Sequence, residues 1–226
     1  TLNDPASRNA LSEAMVEGLI AACERSAADA DLRGVVLRGA GGHFCAGGSL
    51  GGFAKTIGQP LAASEADPLV PLNRRFGALL QALCALPQWL IVAVEGAAMG
   101  GGFGLVCCAD QVLAHTSAQF ATPEVTLGIV PAQIAPFVVR RLGPSAARRC
   151  LLTGERWDAA KAQIAGLVDE VVSGDMEAAV QAAIARHAAA SPQAVAATKR
   201  LLLAQPETPL PALLDEAAYK SFIAGL

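Results

Sequence analysis

The chain has 226 residues, of which 53% are hydrophobic and 4% aromatic, and its formal net charge at pH 7 is −3. This length and hydrophobic content suit one domain, or one domain with a helical extension. The acidic balance and the absence of a basic cluster with aromatic residues exclude a nucleic-acid-binding footprint. The apolar runs are shorter than the roughly 18 residues that cross a bilayer. We therefore expect a cytoplasmic protein that binds neither nucleic acid nor a membrane.

The six cysteines and three histidines lack the spacing of a metal site or of a redox pair. Cys107 and Cys108 are adjacent, and the other cysteines are scattered among apolar neighbours. We expect buried free thiols in a reducing compartment and no bound metal. Because the chain begins at Thr1 and ends in a helix-like stretch, we also expect residues to be missing at both ends.

Helical and strand patterns alternate along the first half of the chain. Such alternation indicates parallel strand pairing and an α/β architecture. Apolar residues at helical spacing predict two helices, and apolar runs predict three strands, one of them continuous enough to be buried on both faces. The predicted helices are 9–28 and 72–85, and the predicted strands are 35–38, 90–94 and 111–115.

The remaining segments carry weaker patterns. Residues 53–71 mix Gly, Pro and Ser without periodicity, which predicts a mobile loop and a candidate substrate lid. From residue 131 onward the pattern is mainly helical, with one strand at 167–172. Residues 176–226 predict three alanine-rich helices, separated at 191–192 and 206–211, that pack on the core or on a neighbouring subunit.

Two glycine-rich junctions follow predicted strands. Gly100-Gly101-Gly102 follows strand 90–94 and opens an apolar helix, and Ala46-Gly47-Gly48 follows strand 35–38. A P-loop is a poor fit because no Lys-Ser/Thr follows, and Leu105 stands where a dinucleotide fingerprint needs glycine. Two interpretations stay open: glycines that permit close packing of helix on strand, and backbone N–H groups that both point at one ligand oxygen.

Further motifs accompany these junctions along nearly the whole chain. Together, in this order and spacing, they resemble the enoyl-CoA hydratase/isomerase family, also called the crotonase family. The motifs are Leu2-Asn3-Asp4-Pro5, Arg8-Asn9-Ala10-Leu11, Phe44-Cys45-Ala46-Gly47-Gly48, Val94-Glu95-Gly96, Gly100-Gly101-Gly102-Phe103, Phe120, Pro123-Glu124, Leu127-Gly128, Leu151-Leu152-Thr153-Gly154 and Gly166-Leu167-Val168.

The resemblance implies an α/β fold built as a spiral of ββα units, with a C-terminal helical region that assembles trimers or dimers of trimers. On this basis we expect a core at 1–172, holding the coenzyme A and oxyanion site, and a helical region at 173–226. The implied substrate is an acyl-CoA thioester, and no metal or redox cofactor is implied because coenzyme A is part of the substrate.

The resemblance also assigns roles to individual residues. The backbone N–H groups of Ala46 and Gly101 would form the oxyanion hole, aided by the positive end of the helix that starts near Gly101. Side chains at the glycine run would block the approach of the thioester. Positions that contact coenzyme A in relatives correspond to Arg8 and to the turn Ala46, Gly47, Gly48 and Ser49, where Ser49 replaces the usual Asp.

Glu124 matches one of two glutamates that relatives use as general acid and base. Its apolar neighbours would raise its pKa toward the working pH. The alternative is a surface glutamate in a capped first turn, since Thr122-Pro123-Glu124 fits that pattern as well. The second glutamate of the family is replaced by Gly104, and Asp110, further along, is more consistent with a structural role. Gln133 either contributes a polar contact to the substrate or serves surface packing.

These residues support hydration of a 2-enoyl-CoA thioester by one glutamate. The segment 131–141 is most similar to hydratases of branched glutaconyl-CoA esters, such as isohexenylglutaconyl-CoA and methylglutaconyl-CoA hydratase. One carboxylate also suffices for isomerisation of a 3-enoyl-CoA thioester to the 2-enoyl form. A non-catalytic acyl-CoA-binding protein is a further alternative, because an acid is missing at Gly104. A dehydrogenase is a distant third.

Overall fold

Helices and short strands alternate along the part of the chain that the computed structural model describes, residues 1–48 and 69–203. The helices are α1 (Glu13–Ala28), α2 (Leu69–Ala85), α3 (Gly101–Cys107), α4 (Ala135–Thr153), α5 (Ala159–Ile164), α6 (Met176–His187) and α7 (Pro192–Leu203), with 3₁₀ helices at Pro5–Ser7 and Pro123–Leu127. The strands are β1 (Gly34–Arg38), β2 (Trp89–Val94), β3 (Ala97–Met99), β4 (Gln111–His115), β5 (Gln119–Ala121), β6 (Trp157–Asp158) and β7 (Glu170–Val172).

The strands form two sheets. The first has the parallel order β1-β2-β4-β7, and the second has the order β3-β5-β6, in which β3 and β5 are parallel and β5 and β6 antiparallel. A single bridge, Cys45 to Ala98, extends the second sheet by one position. Two turns of the chain, β2-β3-α3 and β4-β5-α4, therefore pass from a strand of the first sheet to a short strand of the second and then to a helix, and β1 is likewise followed by the bridge at Cys45. This is the repeated ββα spiral that the resemblance implied.

Most predicted elements are confirmed. Ser12 caps α1 by accepting a hydrogen bond from the Met15 N–H, and β2 is buried along nearly its full length. Three elements were not predicted, namely β3, β5 and β6, because strands of two or three residues carry no measurable alternation. The predicted loop 53–71 is wrong at its end, where α2 begins at Leu69. Residues 53–68 and the predicted third C-terminal helix lie outside the described residues.

A core of aliphatic and aromatic side chains lies between the sheets and helices. Phe103 of α3 makes edge contacts with Phe120 and Trp157, at ring-centroid distances of 6.4 and 6.3 Å, and all three are fully buried. Edge-to-face contacts of this kind add to the hydrophobic stabilisation. They fix α3 against the second sheet, and so they fix where its first residue, Gly101, lies. The six cysteines are free thiols, five of them buried, as predicted.

Neither a membrane span nor a metal-ligand cluster is present in the described ranges. No helix there combines the length and the hydropathy that crossing a bilayer requires. Nor do three His, Cys, Asp or Glu side chains come together there as metal ligands.

An ion pair ties α7 to the core. Lys199 Nζ lies 2.5 Å from Asp110 Oδ2 and 2.7 Å from the Gln88 carbonyl oxygen, and Asp110 Oδ2 also accepts the Leu90 N–H at 2.8 Å. Both charged side chains are largely buried, with 11% and 21% of their surfaces exposed. Asp110 therefore has the structural role predicted for it at the end of α3.

We expect Asp110→Ala to lower the free energy of unfolding by about 3 kcal/mol, because it leaves the buried Lys199 ammonium group without its carboxylate. Glu177→Gln is the control, since it removes an exposed ion pair with Arg38 and should cost less than about 1 kcal/mol. Urea unfolding measures both changes. Similar small losses in the two variants would show that the Lys199 pair does not hold α7.

Candidate active site

Three segments of the chain meet at one edge of the second sheet. Each follows a position in that sheet: Ala46 follows Cys45, Gly100 follows Met99, and Thr122 follows Ala121. Because these positions pair in parallel, the residues that follow them lie side by side. Hydrogen bonds join them directly, from the Met99 N–H to the Cys45 oxygen at 2.9 Å and from the Gly100 N–H to the Ala121 oxygen at 2.8 Å.

A cleft of about 650 Å³ opens at this edge. Its walls come from the start of α1, from α2, from the glycine turns and from the segment that precedes α4. It contains six of the predicted site residues: Ala46, Gly47, Gly48, Gly101, Glu124 and Gln133. Arg8 and Gly104 do not line it, and Ser49 lies outside the described residues.

The predicted donor role of Ala46 is not compatible with its hydrogen bonding. The Ala46 N–H donates to the Arg8 carbonyl oxygen at 3.0 Å, so it is not available to a ligand. Gly48, two residues further, is exposed in the cleft, and its N–H has no acceptor among the described residues. The Gly101 N–H, in the first turn of α3, likewise has none there. Among the described residues of the glycine turns that line the cleft, Gly48 and Gly101 therefore offer backbone N–H groups to a ligand.

The glycine run is explained by close packing within the protein. A side chain at Gly100, where φ is +51°, would stand 2.9 Å from Glu124 Oε1. A side chain at Gly101 would stand 2.7 Å from Leu11 Cδ1, and one at Gly102 would stand 2.7 Å from the Cys45 oxygen. Gly100 and Gly101 line the cleft together with Leu11 and Glu124, so the prediction that side chains there would also block a thioester stays a prediction. Within the protein, the glycines let α3 start close to the neighbouring turns.

Glu124 lies in the 3₁₀ helix Pro123–Leu127, with its carboxylate in the cleft. Thr122 does not cap this helix, because its hydroxyl donates to the Cys150 oxygen at 2.9 Å and its side chain is fully buried. The alternative of a capped surface glutamate is therefore wrong. Glu124 Oε2 is buried without a hydrogen-bond partner among the described residues. Burial raises the pKa of Glu124 above its usual value, while a hydrogen bond from its own N–H lowers it in part.

Ile134 fills the space beside Gly104. A side-chain carbon at Gly104 would overlap Ile134 Cγ2, stand 3.2 Å from Ile134 Cβ and lie 3.7 Å from Leu80 Cδ1. Ile134 is 3% exposed and forms part of the cleft wall. At the position where the resemblance implies a second acid, the space beside the backbone is therefore filled by an isoleucine side chain from another segment. The sequence alone did not reveal this pairing, because the two residues are 30 positions apart.

Two further residues shape the site from outside the cleft. Asn9 is fully buried in the left-handed region, at φ +58°, and its Nδ2 donates to the Ala40 and His43 oxygens at 2.9 and 2.8 Å. It holds the turn in which the Arg8 oxygen accepts the Ala46 N–H, while the Arg8 side chain itself is exposed. An Asn in a turn is the sequence signal for this role, because Asn adopts the left-handed region more readily than most residues do.

Comparisons with known proteins agree with this geometry. The family model described as enoyl-CoA hydratase/isomerase matches residues 1–222. The chain is 38% identical over 221 residues to a 2,3-dehydroadipyl-CoA hydratase of Escherichia coli (strain K12), covering 96% of this chain and 82% of that protein. It also resembles the solved structure of Pseudomonas aeruginosa AtuE, with a TM-score of 0.91, 46% identity and coverage of 98% and 85% of the two chains.

A second solved structure, an enoyl-CoA hydratase/isomerase from Marinobacter aquaeolei, gives a TM-score of 0.90 at 42% identity, covering 98% of this chain and 85% of that one. Likeness at this identity, over nearly the whole chain, extends to the fold. The chain belongs to the enoyl-CoA hydratase/isomerase family, and its fold is the crotonase fold.

Proposed function

We propose that the protein adds water to the double bond of a 2-enoyl-CoA thioester. Glu124, in its ionised form, takes a proton from water while the water oxygen bonds to the β-carbon. The electron pair of the double bond moves to the thioester oxygen, which becomes an enolate. The enolate then collapses as the α-carbon takes a proton from the protonated Glu124, which returns the carboxylate to its starting state.

One observation carries this proposal. Glu124 has a carboxylate oxygen that is buried, has no partner among the described residues, and belongs to a cleft that also contains two free backbone donors. A buried polar atom without a protein partner is a candidate for bonding to a ligand or to water. A donor pair placed for a thioester oxygen and a base placed for a proton are the two functions that hydration requires.

The oxyanion donors in this proposal are the N–H groups of Gly48 and Gly101. Gly48 replaces Ala46, whose N–H donates to the Arg8 oxygen. Both donors are backbone N–H groups, so no side chain has to rearrange as negative charge develops on the thioester oxygen. The coenzyme A moiety would then run along the turn Ala46, Gly47, Gly48 and Ser49 toward Arg8. The Arg8 side chain is exposed and lies outside the cleft lining, so it can pair with a phosphate of coenzyme A while the cleft holds the acyl part.

Isomerisation of a 3-enoyl-CoA thioester is the second candidate, and one observation favours it. Ile134 occupies the space of the second acid, so a single carboxylate must both remove and return the proton. Moving a proton between two carbons with one base needs no water, and the same oxyanion donors would hold the dienolate. The acid missing at position 104 also leaves open a protein that binds acyl-CoA without turnover.

Purified protein assayed with crotonyl-CoA, methylglutaconyl-CoA and 3-hexenoyl-CoA separates these candidates. Loss of the 2-enoyl absorbance with the first two substrates supports hydration, and its appearance with 3-hexenoyl-CoA supports isomerisation. Binding of all three esters by calorimetry, with no turnover of any, would overturn the catalytic proposal and favour a binding protein.

Further features of the family belong to this proposal. They are a branched or glutaconyl-type acyl chain, no cofactor beyond the substrate's coenzyme A, a cytoplasmic location and a homotrimer or dimer of trimers. Residues 1–172 would form the catalytic core, and residues 173–226 the helical region that joins subunits. The first helix of that region, α6, packs on Ile91 and Leu113 and so also contacts the core of its own chain.

The raised pKa of Glu124 predicts the acid limb of the activity profile. The carboxylate acts as a base, so kcat/KM should fall as the pH drops through its pKa, and this limb should lie above pH 4.5 because burial raises that pKa. Initial rates with the best substrate between pH 4 and 9 measure it. A limb at or below pH 4.5 would show that a solvated carboxylate, and not Glu124, controls the reaction.

A further inference from the structure

Gln133 is a polar side chain in a mainly apolar wall of the cleft. The same wall is lined by apolar residues of this segment, namely Leu127, Ile129, Val130, Pro131, Ala132 and Ile134. The Gln133 carboxamide makes no hydrogen bond with any described residue. A half-buried amide that faces a cleft without a protein partner bonds to water there, and a ligand acceptor can take the place of that water.

The orientation of this carboxamide is set by α2. A side-chain carbon at Gly77 would stand 2.6 Å from Gln133 Oε1 and 3.7 Å from its Cδ, so the oxygen lies close against the bare backbone of the helix. This leaves the NH2 group, with two donors, as the end of the side chain that can reach a ligand in the cleft. The glycine at position 77 is what allows the side chain to lie there.

The charged side chains of the cleft pair with each other at the side formed by α1. Arg75 is the one cationic side chain among the described residues that line the cleft, and its Nε and Nη2 donate to Glu17 at 2.5 Å, which holds the guanidinium group against α1. Glu13 and Glu17 are acceptors when ionised. Two side-chain amides therefore face an acceptor group of an acyl chain, those of Asn73 and Gln133, and Gln133 is the one set in the apolar wall.

We propose that the Gln133 NH2 group hydrogen-bonds to a carboxylate at the far end of the acyl chain, which makes dicarboxylic enoyl-CoA esters preferred over hydrocarbon ones. This inference rests on the proposed hydration. A carboxylate is the acceptor that gains most from an amide donor, since hydrogen bonds to charged groups are the stronger ones. Gln133 is then the specificity-determining residue, and Gly77 positions it.

The test compares 2,3-dehydroadipyl-CoA with 2-hexenoyl-CoA, two six-carbon esters that differ by a terminal carboxylate. Wild type should give the higher kcat/KM with the dicarboxylic ester. Gln133→Leu, which keeps the shape and removes the donor, should lower that value about ten- to a hundredfold while changing the hexenoyl value less than about threefold. Gly77→Ala should lower the dicarboxylic value as well, mainly through KM, because it displaces the carboxamide.

Gln81→Leu, an exposed position on the same helix, is the matched control and should leave both values unchanged. An unchanged ratio in Gln133→Leu, or an equal loss with both esters, would overturn this inference while the hydratase proposal stands on the hexenoyl activity. Turnover of neither ester by wild type would overturn the hydratase proposal, and this inference with it.

Discussion

Glu124→Gln should lower kcat for hydration about 10³-fold, because the amide keeps the shape of the side chain but cannot take a proton from water. General acid–base groups contribute roughly 10²- to 10⁴-fold to rates, and here one group performs both transfers. Affinity for the acyl-CoA ester should change little, since the oxyanion donors belong to the backbone. Steady-state rates and calorimetric binding of the same ester separate the two effects.

Glu24→Gln is the control for this experiment. Glu24 is an exposed residue of α1 that does not line the cleft, so kcat should be unchanged. Retained turnover in Glu124→Gln would show that the proton passes through another group. Loss of both binding and turnover would point instead to a collapsed cleft.

The same variant should be more stable than wild type at alkaline pH. Burial raises the pKa of Glu124 in the folded state, so the folded protein holds that proton more tightly than the unfolded chain does. The stability that this group contributes is therefore present at low pH and is lost as the pH rises through the folded pKa. Glu124→Gln should unfold at a higher temperature than wild type at pH 8, and the difference should vanish near pH 4.

Much of the fold was predictable because its signals are local. The continuous apolar run of β2, the Ser12 cap of α1 and the glycine run before α3 each depend on a few adjacent residues. Glu124 was predictable because a motif marks it. The short strands β3 and β5 were not, since three residues carry no periodicity, and they form only because the neighbouring turns of the spiral pair with them.

The details of the site depended on contacts between distant segments. The amide of Ala46 is occupied because Asn9 holds the turn that presents the Arg8 oxygen, and no pattern in 44–48 reveals that. In the proposed mechanism the donor is therefore Gly48, two residues after the one that the motif indicates. Likewise, the sequence showed that an acid is missing at Gly104 but not that Ile134 fills the space. Such pairings are decided by tertiary packing.

Gly104→Glu should inactivate and destabilise the protein, because its side chain would overlap Ile134 Cγ2 in a closely packed, buried position. Overpacking of a core typically costs about 1–3 kcal/mol, and burial of a carboxylate adds to that cost. Ile134→Ala should also destabilise, by about 2–5 kcal/mol, through the cavity it leaves. Urea unfolding of both single variants gives the reference values.

The double variant Gly104→Glu/Ile134→Ala should lose about 0.5–3 kcal/mol less unfolding free energy than the two single variants together, because the Glu side chain enters the space that Ile134 vacates.

The double variant would also place a second carboxylate at the cleft wall. The ratio of hydration to 3-hexenoyl isomerisation should then rise at least about tenfold, since one acid can act on water while the other returns the proton. Additive losses would show that the two positions do not compete for one space. A double variant with the expected coupling but an unchanged ratio would show that Ile134 limits packing alone, and that one carboxylate suffices for both reactions.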